Sequence, residues 1–448
     1  MSYGNTPLAP EVEYVMRDPG PRGVYSYGLI IKAGDHITEE VKVMSRDTVE
    51  NYANSYAPVV TLDVFMGAGL YSKVIYPNRE NLEITLVRLD SANQRDIRTQ
   101  TFRGILLSEK NPVVDESAVA KASQFTLDLS SMLPVSFQLE SRAIEQLRMV
   151  TLGTTLRQTT MQNVIETALT TAIAQIDVKE EEKLLGVTMV GKPNDQVYGQ
   201  IQIDHGTPLF NIPGILQKLQ YGVYVGDIGH FFRDHQWYVY PIYDTEGFEE
   251  SDLTLNITLL PTEYSGSLDR TYRVVGGTVM ILATGERALN NSAEKKKINE
   301  GEGTRFADAD LLFSPGWLDT ESQPNKAIAA RSAGFTEIVM QGEQRANTNA
   351  PMSSRPISSN KYAELSKIAS RKGMFFSCEW RNSNADLLRP GMNARVKYLE
   401  GDLVRMFEGR LVGSQTLDRL MGKGVAATQF GSSTMMSFYV ERDLDMDL

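Results

Sequence analysis

The sequence predicts an α+β fold that is mainly β: two antiparallel sheet or barrel regions around a helical middle region, with a long polar excursion inside the second. Three observations carry this expectation. Apolar and polar residues alternate in short runs near both ends of the chain, helical periodicity is confined to the middle, and hydrophobicity falls between residues 284 and 361. At 448 residues the chain is long for a single core, and the expected divisions are 1–118, 119–265 and 266–448, the last carrying the excursion at 284–361.

In the first region Val24 to Lys32, Val59 to Met66 and Leu82 to Leu89 are the candidate strands. Leu82, Ile84 and Leu86 alternate with Glu83, Thr85 and Val87, the pattern of a half-buried strand. Turn-forming residues flank it at Pro77 to Asn81 and Asp90 to Asp96, and Thr101 to Leu107 reads as the returning strand.

The middle region changes period. Leu139, Ala143, Ile144, Leu147 and Val150 share one helical face, and Met161, Val164, Ile165, Ala168, Leu169, Ala172 and Ile173 form a denser stripe on a second helix. Thr159 with Gln162 makes a capping box at its start, and Lys179-Glu-Glu-Glu-Lys183 reads as a solvated face. Further on, Pro213-Gly214 disfavours a helix running from Thr207, so a start at Asn211 is expected. Next comes the strand Trp237 to Tyr243, which Pro241 marks as an edge or bulged strand, and then the alternating run Leu253 to Leu260.

Tyr272 to Ala283 reads as one apolar strand. The excursion that follows is polar and weakly hydrophobic, with Leu311 to Trp317 as its apolar anchor, and is expected to order against neighbours. Strands return at Met392 to Tyr398, after the Pro390-Gly391 turn, and at Leu403 to Val412 and Met435 to Val440; Glu441 to Leu448 is an acidic tail.

Composition excludes several classes. With 56 acidic and 45 basic residues the net charge is -11, which argues against a protein whose main job is to grip nucleic acid through phosphate contacts, and no sequence-specific nucleic-acid partner is expected. The one cysteine, Cys378, cannot form an intramolecular disulfide and reads as a small buried residue between Phe376 and Trp380. No leader-like segment opens the sequence and no run approaches the roughly 20 apolar residues of a membrane helix, so a cytoplasm-like compartment is expected unless the chain leaves in a particle.

Chemistry-bearing candidates are few. His205, His230 and His235, with Asp204, Asp227 and Asp234, could serve a metal-dependent hydrolase, but HExxH and HxH spacings are absent and turn or surface histidines are the simpler reading. Tyr221, Tyr224, Trp237, Tyr238, Tyr240 and Tyr243 could stack on sugars in a carbohydrate-binding module; alternating aromatics without basic residues read better as core or interface. Gly422-Lys-Gly-Val-Ala-Ala427 matches GxGxxA only in letters, since its surroundings are antiparallel. No catalytic residue, metal or cofactor is expected.

Taken together, Leu82-Glu-Ile-Thr-Leu-Val-Arg-Leu89, the helix Met161 to Ile173, the run Leu209 to Asp244 and the closing Arg389-Pro-Gly-Met-Asn-Ala-Arg-Val-Lys-Tyr398 resemble baseplate hub proteins of tailed phages. The resemblance covers most of the chain outside 284–361 and is one of element order. It implies a non-catalytic virion protein of the tail baseplate, assembled in the host cytoplasm, with two tube-like β-domains: residues 1–118, and 266–283 together with 375–448. Three copies would then ring a hollow axis with six similar domains, joining the tail tube protein to the spike protein beside other baseplate proteins and the tape measure protein. An acidic wall would let DNA slide without sticking. The excursion is longer than a simple hub requires and would embrace a neighbouring subunit or mark a different tail-terminus protein.

Overall fold

The computed structural model describes residues 7–17, 24–90, 96–107, 132–219, 222–224, 227–245, 247–249, 251–261, 268, 270–285, 287–290, 328–332, 335–339, 374–400, 403–421 and 428–440. Helix α1 (Ala9–Met16) is followed by strands β1 (Val24–Ala33), β2 (His36–Thr38), β3 (Val41–Asn51), β4 (Val59–Gly67), β5 (Leu82–Asp90), β6 (Asp96–Leu106) and β7 (Met132–Glu140). The middle holds α2 (Arg142–Met149), β8 (Thr151–Thr159), α3 (Met161–Ile173), β9 (Gly186–Met189), β10 (Tyr198–Pro208), α4 (Ile212–Lys218), β11 (Ile228–Arg233) and β12 (Gln236–Pro241). Then come β13 (Thr254–Leu259), β14 (Tyr272–Val275), β15 (Thr278–Ala283), β16 (Arg287–Asn290), β17 (Ile328–Ser332), β18 (Phe335–Val339), β19 (Met374–Arg381), β20 (Asn393–Glu400), β21 (Leu403–Leu420) and β22 (Phe430–Val440). The fold is α+β and mainly β.

Strand pairing closes one ring and leaves a second open. In the first, β3, β4, β7, β6, β5 and β1 follow one another, β1 meets β22 at Val24↔Gly431 and Tyr25↔Phe430, and β22 and β21 lead back to β3. Alternate residues of these strands fill the interior, among them Leu29, Ile31, Leu62, Val64, Ile84, Leu86, Phe137 and Phe430. In the second, β13, β20, β21, β22, β19 and β16 are neighbours in turn and β15 pairs with β13; β15 and β16 follow one another in the chain, and no pairing joins them among the described residues. Here β13 is parallel to both β15 and β20, whereas the first ring is antiparallel throughout. Its interior holds Leu255, Ile257, Val279, Ile281, Val396, Phe376, Cys378, Trp380 and Phe438.

The hairpin β21–β22 belongs to both rings. Residues 403–410 of β21 pair with β20, whereas Gly413 to Arg419 pair with β3, and a register shift between Leu411 and Gly413 marks the crossing. The described strands therefore weave the expected divisions together: β7 and the hairpin complete the first ring, and β13 sits in the second.

The helices and the remaining strands form a third cluster. Met161, Val164, Ile165, Ala168, Leu169 and Ala172 pack with Ile201, Ile203, Leu209, Leu216 and Trp237 over the β8–β10 ribbon and the β11–β12–β9 sheet. Helix α1 lies elsewhere, laying Leu8, Val12 and Val15 on Leu260, Leu268 and Leu282 outside the second ring.

Several expectations are corrected in detail. Tyr272 to Ala283 is a hairpin: Gly276 and Gly277 turn the chain at φ 55° and 89°, and a Cβ on Gly277 would meet the Asp252 carbonyl oxygen at 2.3 Å. Helix α2 is shorter than its apolar stripe, with Leu139 on β7 and Val150 as the C-cap, because Ser141 in extended conformation separates strand from helix. Thr160, not Thr159, caps α3, its side chain accepting from the Asn163 amide at 3.2 Å, while Gln162 turns to Glu166. Asn211 does cap α4, with Pro213 in the first turn. Strand β12 is central rather than marginal; Pro241 is tolerated because β9 pairs only as far as Val239. Glu182, read as solvated, is buried. Within the polar excursion β16 belongs to the second ring and β17–β18 form a hairpin, while Leu311 to Trp317, the loop Gly422 to Ala427 and the acidic tail lie outside the described residues.

Since the two rings share β21 and β22, neither can lose its strands alone. Calorimetry is expected to show one unfolding transition for both rings, and Phe438→Ala, which empties a wholly buried site on the shared strand, is expected to cost about 3–5 kcal/mol in urea denaturation. Two well-separated transitions would contradict the shared-hairpin account.

Candidate functional site

Where the first ring, the second ring and the helical cluster meet, a cavity of about 350 Å³ is lined by charged side chains from all three. Arg46 and Glu50 come from β3, Arg88 from β5 and Arg98 from β6; Arg233 ends β11 and Asp234 begins the turn to β12; Asp386 sits on the short 3₁₀ turn Ala385–Leu387 after β19; Asp418 lies on β21. On β3, β5, β6 and β21 these positions share the phase of the residues that fill the first ring: Arg46 stands opposite Leu62, Arg88 is in phase with Leu86, Arg98 with Phe102 and Asp418 with Leu420.

The centre of the junction is Glu50. Its Oε2 accepts from Arg233 Nη1 at 2.8 Å, from the Tyr52 hydroxyl at 2.7 Å and from Ser414 Oγ at 3.0 Å, so three elements converge on one buried oxygen. Arg233 Nη1 also donates to the Tyr52 hydroxyl at 3.0 Å and Nη2 to the Ala385 carbonyl at 2.6 Å. Burial opposes the arginine charge, but Glu50 leads the neighbours that hold its pKa above the ordinary range. Side-chain exposure is 6% for Arg233 and 7% for Glu50, so this pair is removed from water and must be matched to be tolerated.

A second set of bonds binds the rings together. Asp386 receives Arg88 and, at 2.8 Å, Arg98 Nη1; Arg98 also reaches Asp234, which meets Arg389 Nη1 at 3.3 Å. Burial would raise the Asp386 pKa, but Arg88, then Arg98 and Arg233, outweigh it and bring the carboxyl down to about 2. Such a carboxyl cannot donate a proton near neutral pH. At the cavity's far side Asp418 accepts from the Tyr27 hydroxyl at 2.7 Å and lies 3.9 Å from Arg46. Chemically the junction is a lock of matched charges, with acids held by guanidinium groups and hydroxyls.

The histidines are not brought together. His205 is exposed on the irregular part of β10, where the register against β8 shifts. His235 is exposed in a left-handed turn at φ 62°, its Nδ1 3.2 Å from the Lys183 carbonyl oxygen. His230 accepts from Trp237 Nε1 at 3.2 Å, and burial pushes its imidazole down to about 4, against the smaller opposing effect of the Phe210 backbone. Among the described residues no group of three His, Cys, Asp or Glu side chains is placed to hold a metal ion. The geometry that the hydrolase reading needed is therefore lacking there.

The aromatic residues lie inward. Tyr224, Trp237, Tyr238 and Tyr240 are buried; the Tyr224 hydroxyl donates to the Val239 carbonyl at 2.9 Å and the Tyr240 hydroxyl to the Tyr52 carbonyl at 2.7 Å. Tyr243 is half-buried against Tyr439, and Tyr221 is outside the described residues. Their polar tips serve the interior, which leaves no stacking platform for a sugar on these four rings. Cys378 is buried, and desolvation raises its thiol to about 12, far from a thiolate nucleophile.

Sequence reasoning did not find the junction. Its members are scattered from Arg46 to Asp418, and the available signal was one of exceptions: Arg233 closing the apolar run Ile228–Arg233, and Glu50 following Val49 in a strand.

No family model matches the chain, and no curated protein matches it. Among solved structures, the tail protein from Neisseria meningitidis MC58 is similar over 92% of this chain and 96% of its own, at 12% identity and a TM-score of 0.42. The 43 kDa tail protein of prophage MuSo2 from Shewanella oneidensis is similar over 92% of this chain and 98% of its own, at 9% identity and a TM-score of 0.45. No helix among the described residues is long and apolar enough to cross a membrane.

Arg233→Met leaves Glu50 buried beside hydroxyls alone and is expected to cost about 3–5 kcal/mol in urea denaturation; adding Glu50→Gln should recover part of that loss rather than add to it. His230 adds a pH dependence through burial of its neutral ring. Its folded value of about 4 lies below the unfolded 6.5, so the unfolded chain binds more protons between the two, and stability falls as pH drops from 6.5 toward 4. His230→Phe is expected to flatten that slope in pH-resolved thermal melts.

Proposed function

We propose that this chain is a structural virion protein of the phage tail, of the baseplate hub type, acting by assembly and without turnover. The observation that carries the reading is that one chain folds into a strand-closed ring and a second, open one that share the hairpin β21–β22. A hub built this way presents two tube-like domains per copy, so that three copies offer six similar domains to a six-fold tail tube and three equivalent faces to a spike.

Exposed strand edges support the same reading. Strand β14 stands at one end of the strand order with Val274 and Val275 exposed, and β2 pairs only with β1 and exposes Ile37. Edges of this kind invite pairing, and a symmetric ring satisfies them by the addition of sister copies. The partners under this proposal are further copies of the chain, the tail tube protein, the spike protein and neighbouring baseplate proteins, and its place is the baseplate of the virion.

Light scattering of the purified chain at rising concentration, alone and mixed with tube or spike protein, tests this. A trimeric mass is expected, and a chain that stays monomeric in every mixture rejects the ring.

A further inference from the structure

Helix α1 lies across the outside of the second ring, although β1, the next element in the chain, belongs to the first. Leu8, Val12 and Val15, at the spacing of one helical face, are buried on Leu260, Leu268 and Leu282, with Met280 and Leu399 at the margin. Eight residues are too few for a helix to persist in water alone, so α1 is helical because it is docked. Beyond the apolar face, Glu11 meets Lys397 of β20 at 3.2 Å. On β14, Arg273 Nη1 donates to the Tyr14 carbonyl at 2.9 Å, and its guanidinium stands 4.1 Å from the centre of the Tyr14 ring.

That last contact falls on a short strand at the sheet's edge. β14 pairs with β15 through four residues, Tyr272 to Val275, and stands at the end of the strand order, whereas β15 has β13 on its other side. So short a strand gains little from pairing alone, and side chains grip β14 on both faces. Tyr272 turns inward, edge-on to Trp380 with ring centres 5.5 Å apart; Arg273, opposite Met280, turns outward onto α1. Helix and strand each supply what the other lacks: α1 gains an arginine beside its apolar seat, and β14 gains a clamp on its outer face.

We propose that α1 is a strap that holds β14 in place, so that the two order and detach as one unit, and that α1 thereby sets the readiness of this edge to accept a sister strand. The first half stands on the contacts of one chain; the second rests on the ring assembly proposed above. With α1 docked the edge is preformed, and with α1 lifted the cost of ordering β14 is added to association.

Hydrogen exchange on the full-length chain, read by mass spectrometry, tests the strap. Val12→Asp, which sets a carboxylate in the buried cluster and lifts α1, is expected to speed exchange in Tyr272 to Val275 at least ~10-fold and to leave β13, paired on both sides, unchanged. Arg273→Met leaves the apolar cluster in place and is the gentler variant; it is expected to speed exchange in α1 at least ~5-fold, since coupling between two elements acts in both directions. Unchanged β14 exchange in the first variant or unchanged α1 exchange in the second overturns the strap, as does a loss of protection in β13 equal to that in β14. Light scattering reads the second half: Val12→Asp should hold less trimer than the unaltered chain at equal concentration, and an undiminished trimer overturns the control of assembly by α1. An unaltered chain that stays monomeric sinks the ring and that second half together, while the exchange results still decide the strap.

Discussion

Two strands, β21 and β22, carry side chains into both ring interiors and hydrogen bonds to both sheets, and the rest of the architecture is built around that sharing. A strand that serves two sheets has to change its set of neighbours along its length without leaving backbone groups unpaired. The register shift between Leu411 and Gly413 does this, and glycine suits the crossing because a Cβ on Gly413 would stand 2.9 Å from the Glu50 carbonyl oxygen. The relative placement of the rings is thus fixed by covalent continuity and sheet pairing before any side-chain contact between them is counted.

The charged junction then fixes the helical cluster against that frame. Glu50 stands at the end of β3, close to the crossing, and Ser414 on β21 reaches the same carboxylate that Arg233 brings from β11. Asp386 adds a grip from the second ring on two strands of the first. Matched ion pairs of this kind contribute modestly to net stability, since desolvation offsets much of their attraction, but they penalise any arrangement that leaves one member alone. Directional bonds between three bodies therefore specify orientation, while the apolar interiors supply most of the free energy.

Much of this was legible in the sequence where the signal is local. Alternation located β1, β4, β5 and β20, and helical spacing located α3, because those patterns are imposed by the element itself. What escaped has a common cause. The polar half of β21, Gly413 to Leu420, is a strand because β3 and β22 flank it on both sides, not because Ser-Gln-Thr-Leu-Asp-Arg has a strand's hydrophobic pattern. The junction is invisible for the same reason, since Glu50 and Asp386 become neighbours only through the fold. The histidines divide: His205 and His235 are exposed, as a turn or surface reading expects, whereas His230 is buried against Trp237, a placement that only the pairing of β11 with β12 creates.

Ring closure also bears on how the molecule can be made. Strand β1 waits for Gly431 and Phe430 to emerge, and β3 waits for Gly413 to Arg419, so these strands meet their last partners only after a long stretch of intervening chain has been made. Until then the nascent first ring has a gap in its wall and unpaired backbone on either side of it. On this plan the wall of the first ring is completed last, by the strands furthest in sequence from the ones they join.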